Sequence, residues 1–218
     1  MENNIIKDEK ILTYIRQADN VLFSMKFTEH NLAHVSRVSN MACKLLKDLG
    51  YDDVVLKLTE IACYLHDIGN IINRHDHAHY GALLARDLLL EKDIPLEHII
   101  KIMSAIGNHD ESSGVPVSEM SAALILADKA DIRRSRVRKL DTNLFDIHDR
   151  VNYSVDSSIL SVNKDKKFII LELTLNNEYS SILEFLSIFS SRMEFCKKAA
   201  EYFGYKFCLC INGVILSN

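Results

Sequence analysis

The chain has 218 residues, of which 48% are hydrophobic and 26% charged, and a formal net charge of −4 with its nine histidines counted neutral. This is the balance of a globular protein and gives no overall electrostatic case for nucleic-acid binding. No apolar run reaches transmembrane length, two prolines and seven glycines leave no low-complexity linker, and the polar Met1, Glu2, Asn3 and Asn4 lack the basic and apolar regions of a signal peptide.

Taken in chain order, Ile6, Ile11, Leu12, Ile15 and Val21 or Leu22 have helical spacing and predict a helix over residues 5–26. A second is expected over 31–49, with Val35, Val38, Met41, Ala42 and Leu45 as its apolar stripe and Gly50 as its stop. Asp52 or Asp53 caps a third, which carries Leu58, Ile61, Ala62 and Leu65 and reaches Gly69. The polar, histidine-rich residues 70–78 read as a loop, followed by helices over 79–90 and from Pro95 to about Asn108. A polar loop over 110–117 contains Gly114 and Pro116, after which Ser118 caps a helix through Leu124, Ala127 and Ile132.

Past residue 150 the texture changes. Residues 151–155 and 159–162 read as strands, 163–167 as a turn, and 168–175 as a strand with Ile169, Leu171, Leu173 and Leu175 on one face. Ser181 and Glu184 make a capping box that opens a long apolar helix ending at Gly204. Residues 206–211 and 214–216 flank Asn212-Gly213, a hairpin signal. The expected fold is mainly α, with a helical domain over 1–150 followed by a small α+β region over 151–218. That region holds no catalytic constellation; it could cover the site, bind a regulator or, through its strand edges, form a homodimer. Cys43, Cys63, Cys196, Cys208 and Cys210 are odd in number, form no CxxC pair and sit in apolar patterns, which reads as free thiols in a cytoplasmic protein.

The chemistry concentrates on His66-Asp67. An acidic residue at a helix C-terminus faces outward-pointing carbonyls and needs a positive partner, and a metal ion held by imidazole and carboxylate supplies one. Alone, such a pair is better read as an Asp with a Lys or Arg partner beside a packed His. Here it is accompanied. His34 lies on the preceding helix with His30 one turn earlier, His75, His77 and His79 crowd the following loop, and His109 ends another helix. Asp128 sits in the apolar run Leu124-Ile125-Leu126-Ala127-Asp128, where an unpaired carboxylate is costly. Facing helices build metal sites from such residues.

These pieces, in this order, resemble the HD-domain phosphohydrolase superfamily over about residues 31–138, roughly half the chain. The matching stretches are His34-Val35-Ser36-Arg37-Val38, His66-Asp67-Ile68-Gly69, His77-Ala78-His79-Tyr80-Gly81-Ala82, Asn108-His109-Asp110-Glu111 through Gly114-Val115-Pro116, and Ala127-Asp128. The resemblance implies that His34, His66, Asp67 and Asp128 hold one divalent ion. Asp67 would bridge to a second ion and orient the nucleophilic water, which makes it the catalytic residue. His77, or His79 in the other loop register, and His109 would hold the second ion. His30 matches an extra ligand position of some subfamilies, with a supporting or solvent-facing role equally open. One or two ions of Mn, Fe, Zn, Ni or Mg would serve. Asn70 stands where the family often has Lys, with Arg74 as a substitute contact to substrate.

The basic stretch 129–139 follows the closing aspartate. If the helix continues, Ile132, Arg136 and Lys139 lie near the face of Asp128, with Lys129 and Arg133 flanking it, and Arg grips phosphate in bidentate fashion. Arg74, Lys129 and Arg133 are therefore the candidate substrate contacts, the rest of the stretch being read as a solvated face. The implied substrate is a small-molecule phosphoester or phosphoanhydride, most often a nucleotide. The middle motifs are most similar to dinucleoside polyphosphate hydrolases and the cyclic-dinucleotide branch, although Gly114-Val115-Pro116 only approximates the latter's Gly-Tyr-Pro. The competing readings are a catalytically silent regulatory or nucleotide-binding module and, less favoured by charge, a nucleic-acid-processing factor.

Overall fold

The computed structural model describes residues 5–217, so the polar residues 1–4 read above against a signal peptide lie outside it. Local caps set most element boundaries. A 3-10 turn over Ile5–Lys7 precedes α1 (Glu9–Ser24), because the Asp8 carboxylate accepts from Lys10 N and Ile11 N and starts the helix there; the expected single helix over 5–26 is split at this cap. Asn31 caps α2 (Leu32–Leu49), which Gly50 closes at φ 96°, and Asp52 caps α3 (Asp53–Leu65). α3 stops short of Gly69, and a 3-10 turn over Ile68–Ile71 takes over. α4 (His77–Leu90) begins two residues earlier than expected, and α5 (Leu96–Gly107) follows Pro95. α6 (Glu119–Ala130) carries a capping box between Ser118 and Ser121 and ends at Ala130, not Ile132.

The chain then runs irregularly to α7 (Ile147–Ser154). Residues 151–154 are helical, not the expected strand, since the Asp146/Asp149 capping box commits the segment. β1 (Val155–Asn163), β2 (Phe168–Leu175), α8 (Ile182–Tyr202), β3 (Lys206–Ile211) and β4 (Val214–Ser217) complete the fold, so the protein is mainly α with one small sheet. The sheet order is β1-β2-β3-β4, antiparallel except for the parallel β2/β3 pair that α8 bridges. Asn212 and Gly213 both take positive φ, as the two-residue hairpin requires. Among the described residues no helix is long and apolar enough to cross a membrane, and the five cysteines are free.

Two apolar clusters hold the molecule. One packs α1, α3, α4 and α5 around Ile11, Ile61, Leu65, Leu89 and Ile102. The other joins Val38 and Leu46 of α2 and Leu124 and Ile125 of α6 to Leu171 of β2, Phe185 and Phe189 of α8, and Ile211 of β3. The buried faces of β2 and α8 thus close over the same α2–α6 pair that carries His34 and Asp128.

Candidate metal centre

Five helix ends converge. His34 stands in the first turn of α2, His66 caps α3 with Asp67 next to it, His77 opens α4, His109 follows α5, and Asp128 lies in the last turn of α6. Gly69 and Gly81 permit this closeness: a Cβ on Gly69 would lie 2.0 Å from His77 O, and one on Gly81 3.0 Å from His66 O. The backbones of the His66-Asp67 turn and of α4 are in direct contact, which explains the glycine of the His-x-x-x-Gly stretch.

The ring nitrogens are oriented from behind. His34 Nδ1 donates to Asp131 Oδ2 at 2.8 Å, His66 Nδ1 to Cys63 O at 2.7 Å, His77 Nδ1 to Arg74 O at 3.1 Å and His109 Nδ1 to Ile106 O at 2.7 Å. Each acceptor is an oxygen without a proton, so each neutral ring keeps its lone pair on Nε2. Those lone pairs face one another, at 3.3 Å between His34 and His66 and 3.2 Å between His77 and His109. They also face carboxylates: Asp67 Oδ2 is 3.1 Å from His66 Nε2 and 3.5 Å from His34 Nε2, Asp67 Oδ1 is 3.5 Å from His77 Nε2, and Asp128 Oδ1 is 3.4 Å from His34 Nε2. Asp67 Oδ2 is buried without a hydrogen-bond partner. Converging lone pairs and an orphaned carboxylate oxygen repel one another, and cations at their centre remove the conflict. The ligand atoms of His34, His66 and Asp128 lie within 4.8 Å of one another, as do those of His66, Asp67 and His109. The donor set fits divalent metal.

The electrostatics agree. Burial opposes a charge on His66, yet Asp67 and Asp128 outweigh it and push the ring up to about 10, so without a metal a proton occupies the Nε2 position between these carboxylates that a divalent cation would take. Burial likewise opposes ionisation of Asp67, but His66 and His30 hold it well below the usual carboxylate range. Burial, reinforced by His66 and His77, drives His109 well below the ordinary imidazole value, which keeps it a neutral ligand.

A cavity of about 340 Å³ opens over Asp67, His77 and Asp128, and Lys26, Phe27, His30, Arg74, Lys129, Arg136, Asp149, Asn152, Phe189 and Arg192 also line it. His77 is buried against His109, while the His79 side chain is 53% exposed and near Asp76. His30 is buried and donates its Nδ1–H to Thr28 O at 2.8 Å. Asn70 donates to Asp67 O at 2.8 Å and to its Oδ1 at 3.1 Å, and accepts from Arg74 Nη1 at 3.3 Å. Arg74 lies over the Phe27 ring and 4.0 Å from Asp67 Oδ1. Lys129 is spoken for, with its Nζ 2.8 Å from Asp128 Oδ2 and 2.6 Å from Glu111 Oε2. Glu111 also accepts from Arg192 Nε at 3.1 Å, and these cations overcome burial to hold it at about 2.

Arg133 is not in this cavity. The helical reading that placed it beside Asp128 fails because α6 ends at Ala130; Arg133 Nε instead meets Asp131 Oδ1 at 2.9 Å and the side chain lines a separate groove. Arg136, read as part of a solvated face, is buried against the site and donates to Glu29 O and Asp131 O. Asp131, the acceptor for His34, is 1% exposed and was not singled out from the sequence, where its only signal is a second Asp three residues after Asp128. The α8 wall, Phe189 and Arg192, also went unrecognised.

Helix ends that pool imidazoles and carboxylates beneath a basic cavity define a helical protein with a candidate divalent-metal centre. Residues 31–135, just under half of the chain, match the HD domain family model. An uncharacterized protein of Methanocaldococcus jannaschii is 26% identical, the match covering 81% of this chain and 76% of that one. The crystal structure of a "predicted HD superfamily hydrolase" from an uncultured Thermotogales bacterium is 27% identical over 57% of this chain and 67% of its own, with a TM-score of 0.46.

Proposed function

We propose that this chain is a metal-dependent phosphohydrolase that cleaves a phosphoester or phosphoanhydride bond in a small molecule of nucleotide type. The observation that carries the reading is the convergence of four imidazole Nε2 lone pairs with the Asp67 and Asp128 carboxylates on the floor of a basic cavity. His34, His66, Asp67 and Asp128 would hold one divalent ion, and Asp67 with His77 and His109 a second. Four imidazoles among six ligands favour Mn, Fe, Zn or Ni over Mg. Ions bound there would supply Lewis acidity and a water whose pKa falls to about 7.

The rest falls to side chains. Asp67, held by Asn70, would orient the attacking water. Arg74, with Arg136 and Lys26, would receive the phosphoryl oxygens, because Lys129 is already neutralised by Asp128 and Glu111 and serves to fix Asp128. The cavity is at the small end of ligand sites, which run from about 300 to 1,000 Å³, and this supports a substrate no larger than one nucleotide in contact at a time. Residues 151–218 would act as a wall of the same site through Asn152, Phe189 and Arg192. The exposed Val214 and Ile215 on edge strand β4 support a homodimer by sheet extension, which the solution mass would reveal.

The test is elemental analysis of the purified protein coupled to a hydrolysis screen over nucleoside mono-, di- and triphosphates, cyclic nucleotides and dinucleoside polyphosphates. Bound divalent metal with release of phosphate or a nucleotide supports the reading. Bound metal without turnover of any of these would favour a silent nucleotide-binding module instead.

A further inference from the structure

Three buried side-chain polar atoms among the described residues lack a hydrogen-bond partner: Asp67 Oδ2, Arg37 Nε and Arg133 Nη2. The first is an acceptor and lies in the metal centre. The other two are donors, and both belong to residues that line a different cavity. An orphaned acceptor marks a place for a cation and an orphaned guanidinium nitrogen a place for an anion; Arg37 Nε already faces the Asp131 carboxylate at 3.0 Å, so the unmet donor is Arg133 Nη2.

The second cavity is a groove of about 680 Å³ between α2 and β1, lined among others by Ser36, Arg37, Asn40, Lys44, Arg133 and Ser158, with no Asp or Glu in its lining. Asp131 Oδ1 pins two arginines from beneath. Arg133 Nε donates to it at 2.9 Å, and Arg37 Nε sits 3.0 Å away as an ion pair without a hydrogen bond's alignment. Outer ends are held too: Arg37 Nη2 donates to Ser158 O at 2.9 Å and Arg133 Nη1 to Ser135 Oγ. Two guanidinium groups are therefore preorganised side by side, and the Arg37 side chain is 41% exposed. Met41, Ile159 and Leu160 make an apolar wall beside them. The other oxygen of Asp131 accepts from His34 Nδ1 at 2.8 Å, so the groove and the metal centre share one carboxylate.

We propose that this groove is a second, non-catalytic site for a phosphate-bearing small molecule with an apolar or planar body, gripped by Arg37 and Arg133, and that Asp131 transmits its occupancy to His34. The binding claim stands apart from the hydrolase reading; only the consequence for His34 as a ligand rests on it.

Calorimetric titration of the full-length Asp67→Ala protein with inorganic pyrophosphate separates the two, since that substitution removes the central carboxylate of the metal centre and leaves the groove untouched. One saturable site is expected, weakened at least tenfold by adding Arg37→Ala or Arg133→Ala, each of which gives up a charge-assisted contact. The imidazole nitrogen resonances of His34 should move along the same titration curve in Asp67→Ala and stay still in the Arg37→Ala combination. In the metal-loaded wild-type protein the titration should show two sites. Arg133→Ala keeps the test decisive should Arg37→Ala fail to fold. Absence of binding in Asp67→Ala, or binding that both arginine substitutions leave unchanged, overturns the proposal.

Discussion

Asp131 Oδ2 accepts the Nδ1–H of His34 at 2.8 Å, across 97 residues of sequence, and so turns the Nε2 of His34 toward Asp67 and Asp128. A carboxylate in this position fixes the ring tautomer and raises the ring's basicity toward a metal. Asp131→Asn keeps the shape and removes the charge. Metal affinity should fall about 10–100-fold, the usual cost of losing such a partner, and competition with a chelator measures it. Unchanged affinity would show that His34 does not need this partner.

Asp67→Ala should strip the metal and abolish hydrolysis while the helical circular dichroism is retained, because the side chain is an acceptor at the centre and packs no apolar core. His77→Ala and His109→Ala should each lower occupancy of one ion more than the other, and His79→Ala should do neither, its ring being largely exposed. Metal-to-protein ratios for the four variants decide the ligand set; a ratio that drops for His79→Ala and not for His77→Ala would reverse the assignment.

Arg74→Ala should lower kcat/KM for a phosphate substrate about tenfold, since a hydrogen bond to a charged group contributes about 1.5–3 kcal/mol. Metal content should hold. Arg74→Lys should recover little, because the planar guanidinium lies over Phe27 and reaches Asn70 at the same time. Near-wild-type kinetics in Arg74→Ala would move the phosphate contact to Arg136 or Lys26.

Leu171→Ala, in the buried face of β2, should destabilise the protein by about 2–5 kcal/mol. Because Leu171 shares a cluster with α2 and α6, the loss should appear in one cooperative transition that also releases metal. A separate early transition confined to the C-terminal region would show that this region folds independently.

What the sequence made legible was local. Asp52, Ser118 and Ser181 announce their helices because a capping side chain acts within three residues. The order of the His and Asp stretches sufficed to name the superfamily. The misreadings share a cause in distant contacts or competing local signals. Ala127, Ala130 and Ile132 continue a helical pattern, but Asp131 leaves the helix to meet His34, and Arg133 and Arg136 part to opposite sides of it. Val151, Tyr153 and Val155 alternate like a strand, yet the Asp146/Asp149 box upstream holds the first two in a helix. Arg192 comes within reach of Glu111 only after α8 has crossed the sheet, and no spacing in the chain announces that.

The touching backbones at Gly69 and Gly81 constrain how the protein can move. Side chains can repack across a joint, but where Gly69 and Gly81 meet the facing backbone there is none to do so, and even one methyl carbon on Gly69 would collide with His77 O. The turn that carries His66 and Asp67 and the helix that opens at His77 are therefore held as one body at this joint. Rearrangement at the cavity is left to lining segments away from this joint, such as Met25, Lys26, Phe27 and Thr28 in the connection between α1 and α2.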